Sequence, residues 1–263
     1  MKASPNIGKT VSYETYQLDV ERAEKSPSTR NDILAKRFGI PLEGYTYFFT
    51  YEETLPHRKQ NYWKMPCSMG ADLSRGDDFC AFTFLFPLGN DQYGIKTRCY
   101  ITSDTMNKLP VAMRMKYESF MEEGSLMVMD GVTLNLDKEV YDDLDKFITD
   151  NDYDIRSFGY DPYNAREFVT RWESENGPFG IETVKQGSKT ESVPLGELKK
   201  LSENRNLLFD EDLMSFCMGN AIALIDTNGN KKLYKKKAEQ KIDSVAAMLD
   251  AYVAFKLNRD LFE

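Results

Sequence analysis

Three aspartates sit where strand ends and helix starts could gather them. Asp72, in Met69-Gly70-Ala71-Asp72-Leu73-Ser74, has small neighbours that permit close approach of another segment. Asp161, in Gly159-Tyr160-Asp161-Pro162-Tyr163-Asn164, closes an apolar run just before a helical one. Asp243, in Lys241-Ile242-Asp243-Ser244-Val245, opens the last helical segment, where free N–H groups and the helix dipole favour a carboxylate. Each also has a plain structural reading: Asp161 starting a turn, Asp243 as an ordinary helix cap, Asp72 as a partly exposed strand residue. Gathered together, the three would repel one another unless a cation sat among them. Two divalent ions about 3.5–4 Å apart would neutralise them, activate a water and stabilise the leaving oxygen of a phosphodiester. That chemistry needs no imidazole.

The composition points the same way. The 263 residues include one histidine, His57, and four cysteines, Cys67, Cys80, Cys99 and Cys217, without a CxxC pair. Zinc centres built on two histidines are excluded, and a Ser-His-Asp site would have to use His57. The thiols read as reduced and buried. Acids outnumber bases 42 to 34, a net charge of −8, so carboxylates and hard cations are the available chemistry. Against that acidity, Lys231, Lys232, Lys235, Lys236, Lys237 and Lys241 cluster just before Asp243. They read either as an arm that holds a DNA backbone or as a solvated charged face. No apolar run is long enough to span a membrane, and the N-terminus lacks the apolar core of a signal peptide. A cytoplasmic protein with no membrane partner is expected.

The elements that must position these residues read as mixed α/β. Residues 1–62 hold a polar helical stretch from Ser12, broken at Ser26-Pro27 and Gly39-Ile40-Pro41, then an aromatic run at 45–49. They have too few apolar residues for a core and read as a linker or arm, with the domain proper at 63–263. An aromatic-rich strand spans Met69 to Leu88, broken by Arg75-Gly76-Asp77-Asp78, and a second covers 93–102. Helices are expected at 105–123, 136–150, 165–175 and 195–203, with strands at 125–129, 155–160 and 181–185. Asn228-Gly229 between apolar runs predicts a tight β-hairpin, and Ile242 to Leu257 a final helix with Val245, Ala246, Leu249 and Val253 inward. Ala3 to Thr10 mimics a phosphate-binding loop but has only two residues before it, too few for the required strand. Glu182 and Lys185 are spaced to fall on opposite strand faces, which defeats a Glu-x-Lys nuclease core.

The strings "GADLS", "GYDPYNA", "VKQG", "CMGNA", "DTNGNKKLYKK" and "KIDSVAAMLDAYVAF" occur in that order from Trp63 onward. In order and spacing they resemble the nuclease domain of the large terminase subunit of tailed bacteriophages. The resemblance implies a ribonuclease H-like fold: a mixed central sheet flanked by helices, with a β-hairpin before the C-terminal helix. It implies an endonuclease that cuts double-stranded viral DNA during genome packaging with Mg²⁺ or Mn²⁺, in the host cytoplasm. Asp72, Asp161 and Asp243 would be its metal-binding acids, Asp72 between two ions. The family's packaging ATPase has no counterpart here, so residues 1–62 would be the linker that follows it. Implied partners are that ATPase domain, the small terminase subunit and the portal. One departure is Leu207-Leu208-Phe209-Asp210-Glu211, where relatives often carry an Asn-Pro stretch. Alternatives are another ribonuclease H-like nuclease, such as a resolvase or transposase, or a docking module without catalysis.

Overall fold

The computed structural model describes residues 12–25, 33, 46–57, 60–225, 228–235 and 240–263. Its strands are β1 (Thr46–Tyr47), β2 (Pro66–Asp72), β3 (Cys80–Gly89), β4 (Gln92–Thr102), β5 (Leu126–Met129), β6 (Asp154–Tyr160), β7 (Ile181–Thr183), β8 (Leu207–Leu208), β9 (Ile222–Ile225) and β10 (Lys231–Tyr234). Its helices are α1 (Tyr13–Lys25), α2 (Ser103–Lys108), α3 (Val111–Glu122), α4 (Tyr141–Asp150), α5 (Arg166–Asn176), α6 (Ser188–Glu203), α7 (Asp212–Asn220) and α8 (Asp243–Leu257).

The aromatic segment read as one broken strand is two. Ser74 Oγ accepts from the N–H groups of Gly76 and Asp78 (3.3 and 3.1 Å). The chain thus reverses there, and β2, β3 and β4 form an antiparallel meander. The β3–β4 connection is the tight turn, with Asn90 and Asp91 both at positive φ (51° and 57°). The β9–β10 hairpin is present as expected, but its pairing closes at Ile225–Lys231. Asn228-Gly229 therefore lies within a wider loop, part of which is outside the described residues.

The main sheet runs β5-β4-β3-β2-β6-β7, with β8 on the start of β4. β6 is parallel to β2 and β7 parallel to β6. A smaller sheet, β1-β9-β10, stands beside it. One core cluster lies between the sheet and α8, the other between the sheet and α4–α5. All four cysteines are buried free thiols.

The segment before residue 63 contributes to this packing. Phe48 and Phe49 are buried in the α8-side core, and Tyr62 stacks on Phe86 with ring centroids 4.5 Å apart. The breaks at Ser26-Pro27 and Gly39-Pro41, and the Ala3–Thr10 segment, lie outside the described residues.

Two helices differ from expectation. α6 begins at Ser188, not Leu195, and tolerates Pro194 in its interior; its first turn is fixed by Gly187 N–H donating to Glu191 Oε1 (2.6 Å). α7 was not expected. Its short apolar run, with Leu213, Met214, Cys217 and Met218 buried, has no readable period. Its start is capped from a distance, Glu123 accepting from the N–H groups of Asp212 and Leu213 (2.9 and 3.1 Å).

Candidate functional site

Strand register brings two of the aspartates side by side. In the parallel β2–β6 pair, Gly70 pairs with Gly159 and Ala71 with Tyr160. The next residues, Asp72 and Asp161, therefore leave the C-terminal ends of neighbouring strands, which lie about 4.8 Å apart. The crevice beyond those ends is where open α/β sheets bind ligands.

Both acids also face α8. Side chains alternate along a strand, so Asp72 shares the face of Gly70, and Asp161 that of Gly159. A Cβ on Gly70 would lie 1.9 Å from Ala247 O, and one on Gly159 2.1 Å from Asp250 O. Only glycine lets the helix come down onto the strands so closely. The helix is fastened there by small polar side chains. Ser68 Oγ donates to Ala251 O (2.7 Å) and Thr83 Oγ1 to Ser244 O (3.0 Å).

α8 contributes Asp243 in its first turn and Asp250 two turns later on the same face, both buried. The helix is buried on nearly every side, including Ala247, Met248, Ala251 and Phe255 beyond the expected stripe, whereas Ala246 and Val253 are half-buried. A cavity of about 590 Å³ opens between helix and strand ends, lined by Asp72, Asp243, Asp250, Glu191, Tyr163 and Lys235 among others.

The acids are not equivalent. Burial pushes Asp72 up to about 7, reinforced by the charge of Asp161 and opposed by Lys235. Burial and the charge of Asp72 push Asp243 up to about 7, opposed by Lys235 and Lys241. Asp250 is driven well above the ordinary carboxylate range, by burial first and then by Asp72 and Asp161. Asp243 Oδ2 is buried without a hydrogen-bond partner. Asp161 is different: its Oδ1 accepts from Tyr163 N–H (2.8 Å) and its Oδ2 from Gln186 N–H (3.3 Å). It is the turn-forming aspartate of the plain reading, and it also flanks the acids.

A family model for the terminase large subunit, endonuclease domain, matches residues 1–258. The chain belongs to that family. It is 24% identical over 252 residues to the terminase large subunit of Lactococcus phage p2, covering 94% of this chain and 46% of the relative. It is 21% identical over 254 residues to the large subunit of Enterobacteria phage HK97, covering 94% and 49%. The chain therefore spans about half the length of these relatives. The crystal structure of the HK97 bacteriophage large terminase superposes with a TM-score of 0.66 at 21% identity, covering 95% of this chain and 52% of that one. The fold is the ribonuclease H-like one expected.

In this endonuclease domain Asp72, Asp243, Asp250 and Glu191 line one cavity, whereas Asp161 is not among its lining residues and is bonded to two that are, Tyr163 and Gln186. Among the described residues no group of three His, Cys, Asp or Glu side chains is arranged to hold a metal ion. The donor chemistry nonetheless suits a hard divalent cation: all-oxygen ligands, mutual repulsion, and an orphaned Asp243 Oδ2. Each Asp161 oxygen takes one hydrogen bond and keeps a lone pair.

The lysines divide. Lys231 and Lys232 lie on β10, Lys232 exposed and on the cavity wall. Lys235 pairs with Asp78. Lys241 does not belong to an exposed arm: it is buried, 2.6 Å from Asp78 Oδ1, and donates to Asp77 O at 3.0 Å. An acid on the β2–β3 turn has drawn it inside. Lys236 and Lys237 lie outside the described residues. His57 is not among the residues lining the cavity; its ring packs on Phe209.

Sequence reasoning missed Asp250 and Glu191. Asp250 was readable as an acid seven residues after Asp243 on an otherwise apolar helix. Glu191 lay in a stretch not expected to be helical; its Oε2 accepts from Leu233 N–H (3.0 Å), tying α6 to the hairpin. No helix among the described residues is long and apolar enough to cross a membrane.

Proposed function

We propose that this domain is a Mg²⁺- or Mn²⁺-dependent endonuclease that hydrolyses double-stranded viral DNA during genome packaging. The observation that carries the reading is the pairing of Gly70 with Gly159, which sends Asp72 and Asp161 off adjacent strand ends under α8, the helix that carries Asp243. Asp72, Asp161 and Asp243 would hold two divalent ions, with Asp72 serving both. Bound there, the ions would supply charge neutralisation, a water of lowered pKa and stabilisation of the leaving oxygen. The chain's own part is positioning. The two backbone N–H groups fix the Asp161 carboxylate, α8 holds Asp243 against the strand ends, and Lys235 offsets part of the acidic charge. Exposed Lys232 on the hairpin holds phosphate, and Lys231, Lys236 and Lys237 contribute to the same DNA contact.

The longer relatives suggest the setting. Residues 1–62 link to a packaging ATPase domain, and the assembled motor works with the small subunit and portal in the host cytoplasm. The test is a supercoiled plasmid incubated with the chain and Mn²⁺ or Mg²⁺. Nicking and linearisation are expected, and Asp161→Asn and Asp243→Asn should each abolish them. No cleavage by the unaltered chain, or undiminished cleavage by Asp243→Asn, overturns the reading. Cleavage confined to branched DNA would indicate a resolvase, and strand joining a transposase.

A further inference from the structure

One side of the cavity mouth is a continuous hydrogen-bonded rim that passes through Asp161 and carries side chains with no part in holding the acids. It starts on β10, where Lys231 N–H donates to Ser192 Oγ (3.1 Å) and Leu233 N–H to Glu191 Oε2 (3.0 Å), tying the hairpin to the start of α6. Gly187 N–H closes onto Glu191 Oε1 (2.6 Å), and Gln186 N–H reaches Asp161 Oδ2 (3.3 Å). Asp161 Oδ1 then holds Tyr163 N–H (2.8 Å), and Asn164 Nδ2 extends to Leu73 O (3.4 Å). The rim's backbone is therefore fixed from hairpin to strand end. Three lysines and a tyrosine along it spend no side chain on these bonds. Lys185, Lys189 and Lys232 are exposed and make no ion pair among the described residues. Tyr163 is 75% exposed although it lines the cavity and its backbone is pinned.

A solvent-facing aromatic on a hydrogen-bonded backbone, near exposed lysines at the edge of an acidic pocket, is poorly explained by packing. It suits a polyanion that also offers flat apolar surface. We propose that this rim is the track for one strand of duplex DNA: Lys185 and Lys189 extend the phosphate contacts of Lys232, and Tyr163 packs against a sugar or base beside the scissile phosphate. The proposal rests on the nuclease reading and adds residues that the metal site does not use. The two contact types have different signatures. Lysines act through phosphate charge and counterion release, so they set the salt dependence. An aromatic contact contributes affinity that salt scarcely alters.

The experiment measures binding of a fluorescein-labelled blunt duplex by anisotropy across a salt series, with Ca²⁺ as the divalent ion, alongside plasmid cleavage in Mn²⁺. Lys185→Ala/Lys189→Ala should lower the slope of log affinity against log salt by about 2. Tyr163→Ala should weaken binding by about tenfold with an unchanged slope, and Tyr163→Phe should restore it. Asp243→Asn is the control for the parent reading: it should lose cleavage and keep the full salt slope. If both rim variants bind and cut as the unaltered chain does while Asp243→Asn is inactive, the rim proposal fails and the nuclease stands. If Asp243→Asn still cuts, the nuclease reading fails instead. Equal losses for Tyr163→Ala and Tyr163→Phe would overturn the aromatic contact, since a packing role would keep the ring.

Discussion

Two of the clusters that hold buried carboxylates among the described residues make a contrast, and only one resembles a reaction centre. Beneath β4, Lys96 Nζ bonds Asp210 and lies 3.5 Å from Glu211 Oε1, while Glu211 Oε2 accepts from Thr97 N–H (3.1 Å). At the strand ends, Asp72, Asp243 and Asp250 share a cavity, and Asp243 Oδ2 has no partner. Burial raises carboxyl pKa values at both places: Glu211 to about 8, Asp72 and Asp243 to about 7. A raised value alone therefore does not mark a site. What differs is the cation: one cluster carries its own lysine at bonding distance, whereas the other leaves an oxygen waiting for one.

That difference can be broken from either side. The largest effect is expected on cleavage, where Asp72→Asn should cost about 10³-fold in plasmid linearisation, the several kcal/mol that a misplaced catalytic ion represents. Lys96→Met should leave Asp210 and Glu211 buried without their cation and destabilise the fold by about 3–5 kcal/mol in urea unfolding. Gly70→Ala tests what holds α8 over the strand ends. With Ala247 O 1.9 Å from the new Cβ, a loss of about 1–3 kcal/mol is expected, with cleavage falling as Asp243 is displaced.

The smallest effect sharpens the contrast through pH. Asp72 and Asp243 keep their protons to about pH 7 when folded, but only to about pH 4 when unfolded. The folded state thus binds more protons between these values, and the metal-free protein should lose stability as pH rises from about 4 to about 7. Glu211 adds a loss of the same sign up to about pH 8. Adding Mn²⁺ should reverse the share due to the pocket and leave that of Glu211. Asp243→Asn should raise metal-free stability at pH 8 by about 1–2 kcal/mol in thermal or urea melts. A melt that Mn²⁺ does not shift would remove the distinction between the two clusters.

Much of the fold was legible because its local signals agree. Ser74 and the polar run after it mark the first turn, Pro110 divides α2 from α3, and alternation shows in β4. α7 was not legible: a buried helix nine residues long, apolar nearly all round, carries no period, and Glu123 caps it from far along the chain. The tight primed turn fell at Asn90-Asp91 rather than at the more suggestive Asn228-Gly229, because strand pairing rather than dipeptide preference sets where a hairpin closes. Lys241 shows the same limit in charge. It follows a run of lysines at 235–237 in the sequence, but its partner, Asp78, lies on a distant turn.

The sequence by itself determined the chemical inventory: abundant carboxylates, one imidazole, no paired thiols, and three acids at the edges of apolar runs. Those are properties of residue type and local order, which need no fold to exist. Only the tertiary structure decided which acids meet. The pairing of Gly70 with Gly159 and the descent of α8 onto both glycines depend on contacts between residues far apart in the chain. Through those contacts Asp250 and Glu191 join the cavity, Asp161 is pinned by two N–H groups, and Lys241 is drawn out of the solvent.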